Sequence, residues 1–283
     1  MIGPPRVLGA EHEFEVHAGS ESVDFRTLLP ELTLDGRRLD PGDPNAVRCR
    51  WGGVITADGK EAEIAIPPVE LRPGAVGEVL DLLSVGRSAL ETALTAHDLS
   101  LRLTGYSTHL SVEVPDRRVK RLARRFARAY ALDVILLVDR ADSPGLLVRP
   151  RRNRLELGGE FVDGDDLGAA LVFCSTAAIA LERATRRDGP PPLLVRLERA
   201  VERYGWFVAR TAFGGHALES RDAPVRSGRR ATSAGDHLSE SWARLRPLAR
   251  GFWSPAELAL VDERVAGRTR LPFERAPGRR AAT

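Results

Sequence analysis

The chain has 283 residues, 43% hydrophobic and 29% charged, enough to bury a full core, and it is long for one domain without dividing visibly into two. No apolar run approaches the roughly 20 residues of a membrane helix, and Met1-Ile2-Gly3-Pro4-Pro5-Arg6 carries no hydrophobic leader, so a cytoplasmic globular protein without a membrane partner is expected. The net charge of +3 comes almost wholly from arginine, Lys60 and Lys120 being the only lysines, which reads as compositional bias, and no nucleic-acid partner is expected.

In chain order, residues 6–16 alternate as a strand does, followed by a second strand at 61–66 and a helix over about 76–98. A third strand at 107–114 precedes a helix over 118–130. The latter carries the arginine-rich run Arg117 to Arg128, but Val119, Leu122, Phe126 and Tyr130 recur at helical spacing. The run therefore reads as the solvated face of an amphipathic helix. A fourth strand at 152–157 and helices over 166–186 and 192–204 complete this part. Ser254-Pro255-Ala256-Glu257 is a helix start, with Ser as cap, Pro in the first turn and Glu closing a capping box, for a helix to about Gly267. Glu31 to Gly53, with turn chemistry at Asp40-Pro41-Gly42-Asp43-Pro44-Asn45, and Phe213 to His237 lack periodicity and read as long loops. Residues 1–275 are expected to form a single catalytic domain and 276–283 a flexible tail. Cys174 sits in the apolar run Leu171-Val172-Phe173-Cys174 and reads as a buried thiol, and no spacing of Cys49 and Cys174 suggests zinc.

Splitting each strand by alternation exposes an unusual face. In the first, Ala10, His12, Phe14 and Val16 share one side and Gly9, Glu11, Glu13 and Glu15 the other. Same-face charges about 7 Å apart repel by roughly 2 kcal/mol at an effective dielectric near 20, so a partly buried face of this kind needs a cation. In the second, Glu61 and Glu63 oppose Ala62, Ile64 and Ile66. In the third, His109, Ser111 and Glu113 oppose Leu110, Val112 and Val114. In the fourth, Arg152, Arg154 and Glu156 oppose Leu155 and Leu157. One such strand has an ordinary explanation as a half-exposed antiparallel strand. Four together, rich in oxygen donors and poor in lysine, suit Mg²⁺ or Mn²⁺ held against a nucleotide, with arginines for phosphate. His12 reads as a core histidine, His17 as exposed, and the four tryptophans as packing residues.

Gly9-Ala10-Glu11-His12-Glu13-Phe14 is similar to the GxExEF opening of the glutamate–cysteine ligase-like carboxylate–amine ligases, which with the amidoligases belong to the glutamine synthetase catalytic-domain superfamily. Thr104-Gly105-Tyr106-Ser107-Thr108-His109-Leu110-Ser111 resembles their glycine-rich turn and metal-binding His strand, and Arg154-Leu155-Glu156-Leu157 their late Arg-x-Glu strand. The resemblance implies an α+β fold, a curved antiparallel β-sheet with helices packed on its convex face. It implies that Glu13, Glu63 and Glu61 hold one metal, and that Glu11, His109 and Glu156 hold a second that bridges the nucleotide phosphates. Arg154, with Arg152 or Arg149, would neutralise the transferred phosphoryl group, with Lys60 and Ser111 as further nucleotide contacts. Two positions depart from the family pattern: Gly158 stands where a second Arg often follows, and Ser111 where a second His often stands.

The implied activity is an ATP- and Mg²⁺-dependent (or Mn²⁺-dependent) ligase joining a small-molecule carboxylate to an amine through an acyl phosphate, in a possible homo-oligomer. Glu113 or Glu15 is the expected base. The Phe213–His237 segment is the expected lid, with Arg210, His216 and Arg221 meeting a substrate carboxylate. The alternatives are a guanidino kinase, which shares the superfamily sheet, and an inactive metal- or nucleotide-binding module.

Overall fold

The structure, a computed structural model, describes residues 6–40, 43–139, 143, 145–184, 198–200, 205–213, 220–227 and 230–274. In chain order its elements are β1 (Val7–Ala18), β2 (Glu21–Val23), α1 (Phe25–Leu28), β3 (Gly36–Asp40), β4 (Asp43–Cys49), β5 (Val54–Asp58), β6 (Glu61–Ala65), β7 (Val69–Glu70), α2 (Ala75–His97) and β8 (Leu101–Glu113). They continue as α3 (Asp116–Val138), β9 (Gly145–Arg151), β10 (Arg154–Glu160), α4 (Gly164–Arg183), β11 (Glu198–Ala200), β12 (Gly205–Ala209), β13 (Pro224–Ser227), β14 (Arg230–Ser233), α5 (Ala234–Ala249) and α6 (Pro255–Val265).

One antiparallel sheet runs in the order β11-β12-β9-β10-β8-β1-β6-β5-β4-β3, with β2 and β7 pairing the two ends of β1. The alternation of β1, β6, β8 and β10 decides which face is covered. Leu8, Ala10, Leu110, Val112, Leu155 and Leu157 point into a core shared with α2, α3 and α4. Phe14, Val16, Ile55 and Ile64 meet Leu90 and Leu94 of α2 in a second cluster. The first half of α3 is amphipathic, but every residue from Ala129 to Val138 is buried, so the helix runs eight residues beyond its periodic stretch. Helices α5 and α6 close over α3 and α4. By length and composition α4 is apolar enough to cross a bilayer, which the sequence reading overlooked; 83% of its most apolar window is buried inside the fold.

Three expectations are corrected. The stretch Glu31–Gly53 is no loop: β3 and β4 form a hairpin in which Asp40 faces Asp43, so the dense turn chemistry is its tip. The described part of the expected helix 192–204 is strand β11, which pairs with β12 as Glu198↔Phe207; a partner strand overrides a short helical period that no cap anchors. Phe213–His237 contains the β13–β14 hairpin and the start of α5, which Ser233 caps by accepting the Asp236 N–H at 3.0 Å. Residues 276–283 and His216 lie outside the described residues.

Candidate active site

The face of the sheet opposite the helices carries the polar set, and the register fixes its rows. Glu13 stands between Glu63 of β6 and Ser107 of β8, with Glu160 of β10 opposite Ser107. One row along, Glu11 stands between Ala65 and His109, and Gly158 of β10 lies beyond His109. The next row is Gly9, Ser111, Glu156 and Arg149, and the last pairs Glu113 with Arg154 and Arg154 with Arg151. Acids therefore crowd one end and arginines the other.

At the acidic end the oxygen donors form two groups. Glu11, Glu63 and His109 bring ligand atoms within 4.8 Å of one another, and so do Glu13, Asp58 and Glu63. His109 Nδ1 lies 3.2 Å from Glu11 Oε2 and 3.6 Å from Glu13 Oε1, and Ser107 Oγ donates to Glu13 at 2.5 Å. Burial, followed by the neighbouring Glu11 and Glu13 charges, pushes the Glu63 carboxyl up to about 8. Burial raises Glu13 as well. Burial works against the His109 charge, but the hydrogen bond to Glu11 and the proximity of Glu13 hold its pKa above the usual value. Buried carboxylates that face one another in this way have the chemistry that a divalent cation would neutralise.

At the other end Glu156, 1% exposed, gathers Arg149 at 2.5 Å, Arg154 at 3.1 Å and Arg151 at 3.3 Å. Burial opposes its charge, yet Arg149 and Arg151 hold it below the usual carboxylate range. The Arg149 guanidinium also lies against the His109 ring, its Nη2 3.3 Å from Nδ1 and 3.5 Å from Nε2. Gly158 permits this: a Cβ there would stand 2.9 Å from His109 Cδ2 and 3.0 Å from Nε2. The missing side chain at Gly158 is thus the space the His109 ring occupies. A pocket of about 240 Å³ opens beside this end, lined among others by Gly9, Ser111, Glu113, Arg152 and Arg154. The Ser111 hydroxyl is buried there without a hydrogen-bond partner.

The structure brings Glu11, Glu13, Glu63 and His109 together but shares Glu63 between the two groups, where the sequence expectation places it with Glu13 and Glu61 only. Glu156 sits among arginines and belongs to neither oxygen-donor group. Glu61 stands at the β5–β6 turn, where its carboxylate accepts the Lys60 N–H at 3.1 Å, and Lys60 is in that turn and not beside the arginines. Glu113 accepts the Val7 N–H at 3.1 Å, and Glu15 meets His17 at 3.3 Å; His17 is half-buried and not exposed. Arg221 donates to the Arg264 carbonyl at 2.7 Å and Arg210 is buried near Phe273. Asp58 escaped the sequence reading, although Asp58-Gly59 is a hairpin signal that places it across from Glu61.

Neither a protein-family model nor a curated protein sequence matches the chain. A solved structure does: the ligase PafA, in complex with the prokaryotic ubiquitin-like protein Pup, aligns with a TM-score of 0.52 over 93% of this chain at 12% identity. This chain shares the fold of PafA. It spans 63% of the length of that ligase. The PafA-like fold is a mixed α/β architecture with a large antiparallel sheet, and among the described residues no helix covers the Glu11–Glu63–His109 face.

Proposed function

We propose that the chain is an ATP-dependent carboxylate–amine ligase that forms an amide bond, peptide or isopeptide, through an acyl phosphate. The observation that carries this reading is the pair of three-donor groups sharing Glu63, on a sheet face whose other end is a fan of arginines. The donor set, four carboxylates and one imidazole, fits a hard divalent cation such as Mg²⁺ or Mn²⁺. Held by Glu11, Glu63 and His109 and by Glu13, Asp58 and Glu63, such cations would neutralise phosphate charge during phosphoryl transfer.

The chain's own groups account for the remaining steps. Three guanidinium groups against one carboxylate leave positive charge over at Arg149, Arg151 and Arg154, preorganised for the γ-phosphoryl oxygens. A substrate carboxylate oxygen attacks the γ-phosphorus and ADP leaves. The amine nitrogen then attacks the acyl carbon, phosphate departs, and the amine proton passes to a base. Glu113 lines the arginine-end pocket and has one oxygen beyond the Val7 bond for that task. Amino-acid-like molecules are the proposed substrates, and likeness to a ligase whose partner is the protein Pup supports the bond type.

The test is an ATP-turnover screen over pooled carboxylates and amines, read by mass spectrometry. Substrate-dependent ADP with a product lighter than the two substrates by one water is expected. ADP with a phosphorylated amine and no condensed product would make the chain a guanidino kinase, and no ADP with any pool would make it an inactive module.

A further inference from the structure

The second half of α3 buries a carboxyl group that the proposed chemistry does not use. Every residue from Ala129 to Val138 is buried, and apart from Tyr130 only Asp133 among them is ionisable. Asp133 is 0% exposed and sits where α3 packs against α5. Opposite it, near the start of α5, stands His237, itself buried, with Nε2 3.5 Å from Asp133 Oδ2. Neither carboxylate oxygen nor that nitrogen is in an aligned hydrogen bond. An anion in so apolar a setting is tolerated only while a cation or a proton answers it, and His237 can supply either.

The groups around the pair leave its proton to these two residues. Tyr130 of α3 and Cys174 of α4 feel the Asp133 charge, and burial pushes both well up, so they stay neutral. Arg125 of α3 donates to the Leu181 carbonyl at 3.2 Å, and Glu240 and Arg244 of α5 form a partly exposed pair at 3.7 Å. Burial raises the Asp133 carboxyl above its ordinary 3.8, with His237 and Ser241 opposing the rise. Burial works against the His237 charge, but Asp133 and then Glu240, opposed by Arg244, hold it above 6.5. Both shifts have one sign: the native chain keeps protons that an opened chain releases. The stability that the pair confers therefore declines as pH rises, and the imidazole's share is full below 6.5 and lost as pH climbs through its folded value.

What the pair seats is a connected unit. The Ala234 and Gly235 N–H groups donate to the Ala223 and Arg221 carbonyls at 2.9 and 2.7 Å, which ties the β13–β14 hairpin to the start of α5 beside His237. We propose that Asp133 and His237 form a proton-operated latch that holds α5 and this hairpin against α3 and lets them loosen when the pair loses its proton. Leu238, Trp242 and Leu245 give α5 an apolar seat as well, so the latch loosens one helix and its hairpin and not the whole core. It is independent of the ligase reading, because neither residue belongs to the oxygen-donor groups or to the arginine fan.

The test is hydrogen–deuterium exchange of the full chain at about pH 6.5 and about pH 8.5, corrected for intrinsic exchange rates, with α2 as the internal reference. In wild type the opening of α5 and its hairpin is expected to become about tenfold or more easier across that interval, the effect of one unit of pKa displacement, while α2 changes little. The combined variant D133N/H237Q, which has no proton to lose at this position, is expected to show no such rise. No rise in wild type, an equal rise in the variant, or an equal rise in α2 would overturn the proposal. A second measurement needs no variant to fold: the His237 Hε1 resonance of wild type, assigned by its Overhauser contact to Ser241 one turn on, is followed against pH. A midpoint above 6.5 supports the latch, and a midpoint at or below 6.5 removes it.

Discussion

His12 illustrates how one side chain can be read correctly from its face and still carry a measurable cost. It lies 2% exposed beside Phe14 and Phe161, its Nε2 3.0 Å from the Val162 carbonyl. Burial lowers its pKa from 6.5 to about 4. Between those values the unfolded chain binds the proton and the native state does not, so stability is full above pH 6.5 and falls as pH drops toward 4, by at most about 3 kcal/mol. Comparing Tm against pH for wild type and His12→Gln should show the variant with the shallower acid-side slope; parallel curves would count against it. Glu63 has the opposite sign. Its value of about 8 lies above the ordinary 4.5, so stability is full below pH 4.5 and is lost as pH rises through 8. Metal-free Glu63→Gln should therefore melt above wild type at pH 9 in differential scanning calorimetry, and a lower Tm would contradict the crowding. At Gly158, introducing an arginine should be harmful, because the His109 ring fills that space. Gly158→Arg should keep the fold by circular dichroism yet weaken Mn²⁺ binding by about tenfold or more.

Among elements, α2 and α6 depend on one carboxylate. Glu257 closes the capping box of its own helix through the Ser254 N–H at 2.8 Å, and its Oε1 accepts the Val76 N–H at 3.0 Å at the start of α2, where Gly74 offers no side-chain cap. Glu257→Ala should cost about 2–3 kcal/mol in urea unfolding, more than one surface cap is worth; a loss under about 0.5 kcal/mol would deny the shared role. The capping box of α6 was legible in sequence, whereas its service to α2 was not, since 181 residues separate Glu257 from Val76. Strands show the same division. The first, second, third and fourth strands announced themselves by alternation, but Leu146-Leu147-Val148 of β9 is buried on both faces and has no period to read. Without β9, the reach of Arg149 to Glu156 and His109 was invisible.

At the scale of the molecule, the sequence revealed which residues share a face and left open how the strands are ordered. The order β10-β8-β1-β6-β5 joins segments up to a hundred residues apart, and that order sets Glu63 between the two donor groups, brings in Asp58, and moves Glu156 to the arginines. Local alternation is written in each strand, while the register between strands comes from the packing of the whole core. The central claim is that this face holds two divalent cations through a shared Glu63. Its most direct measurement is a Mn²⁺ titration followed by electron paramagnetic resonance in the presence of a non-hydrolysable ATP analogue. The account predicts two bound ions per wild-type chain and at most one for Glu63→Gln; no bound ion in wild type, or two in the variant, would contradict it.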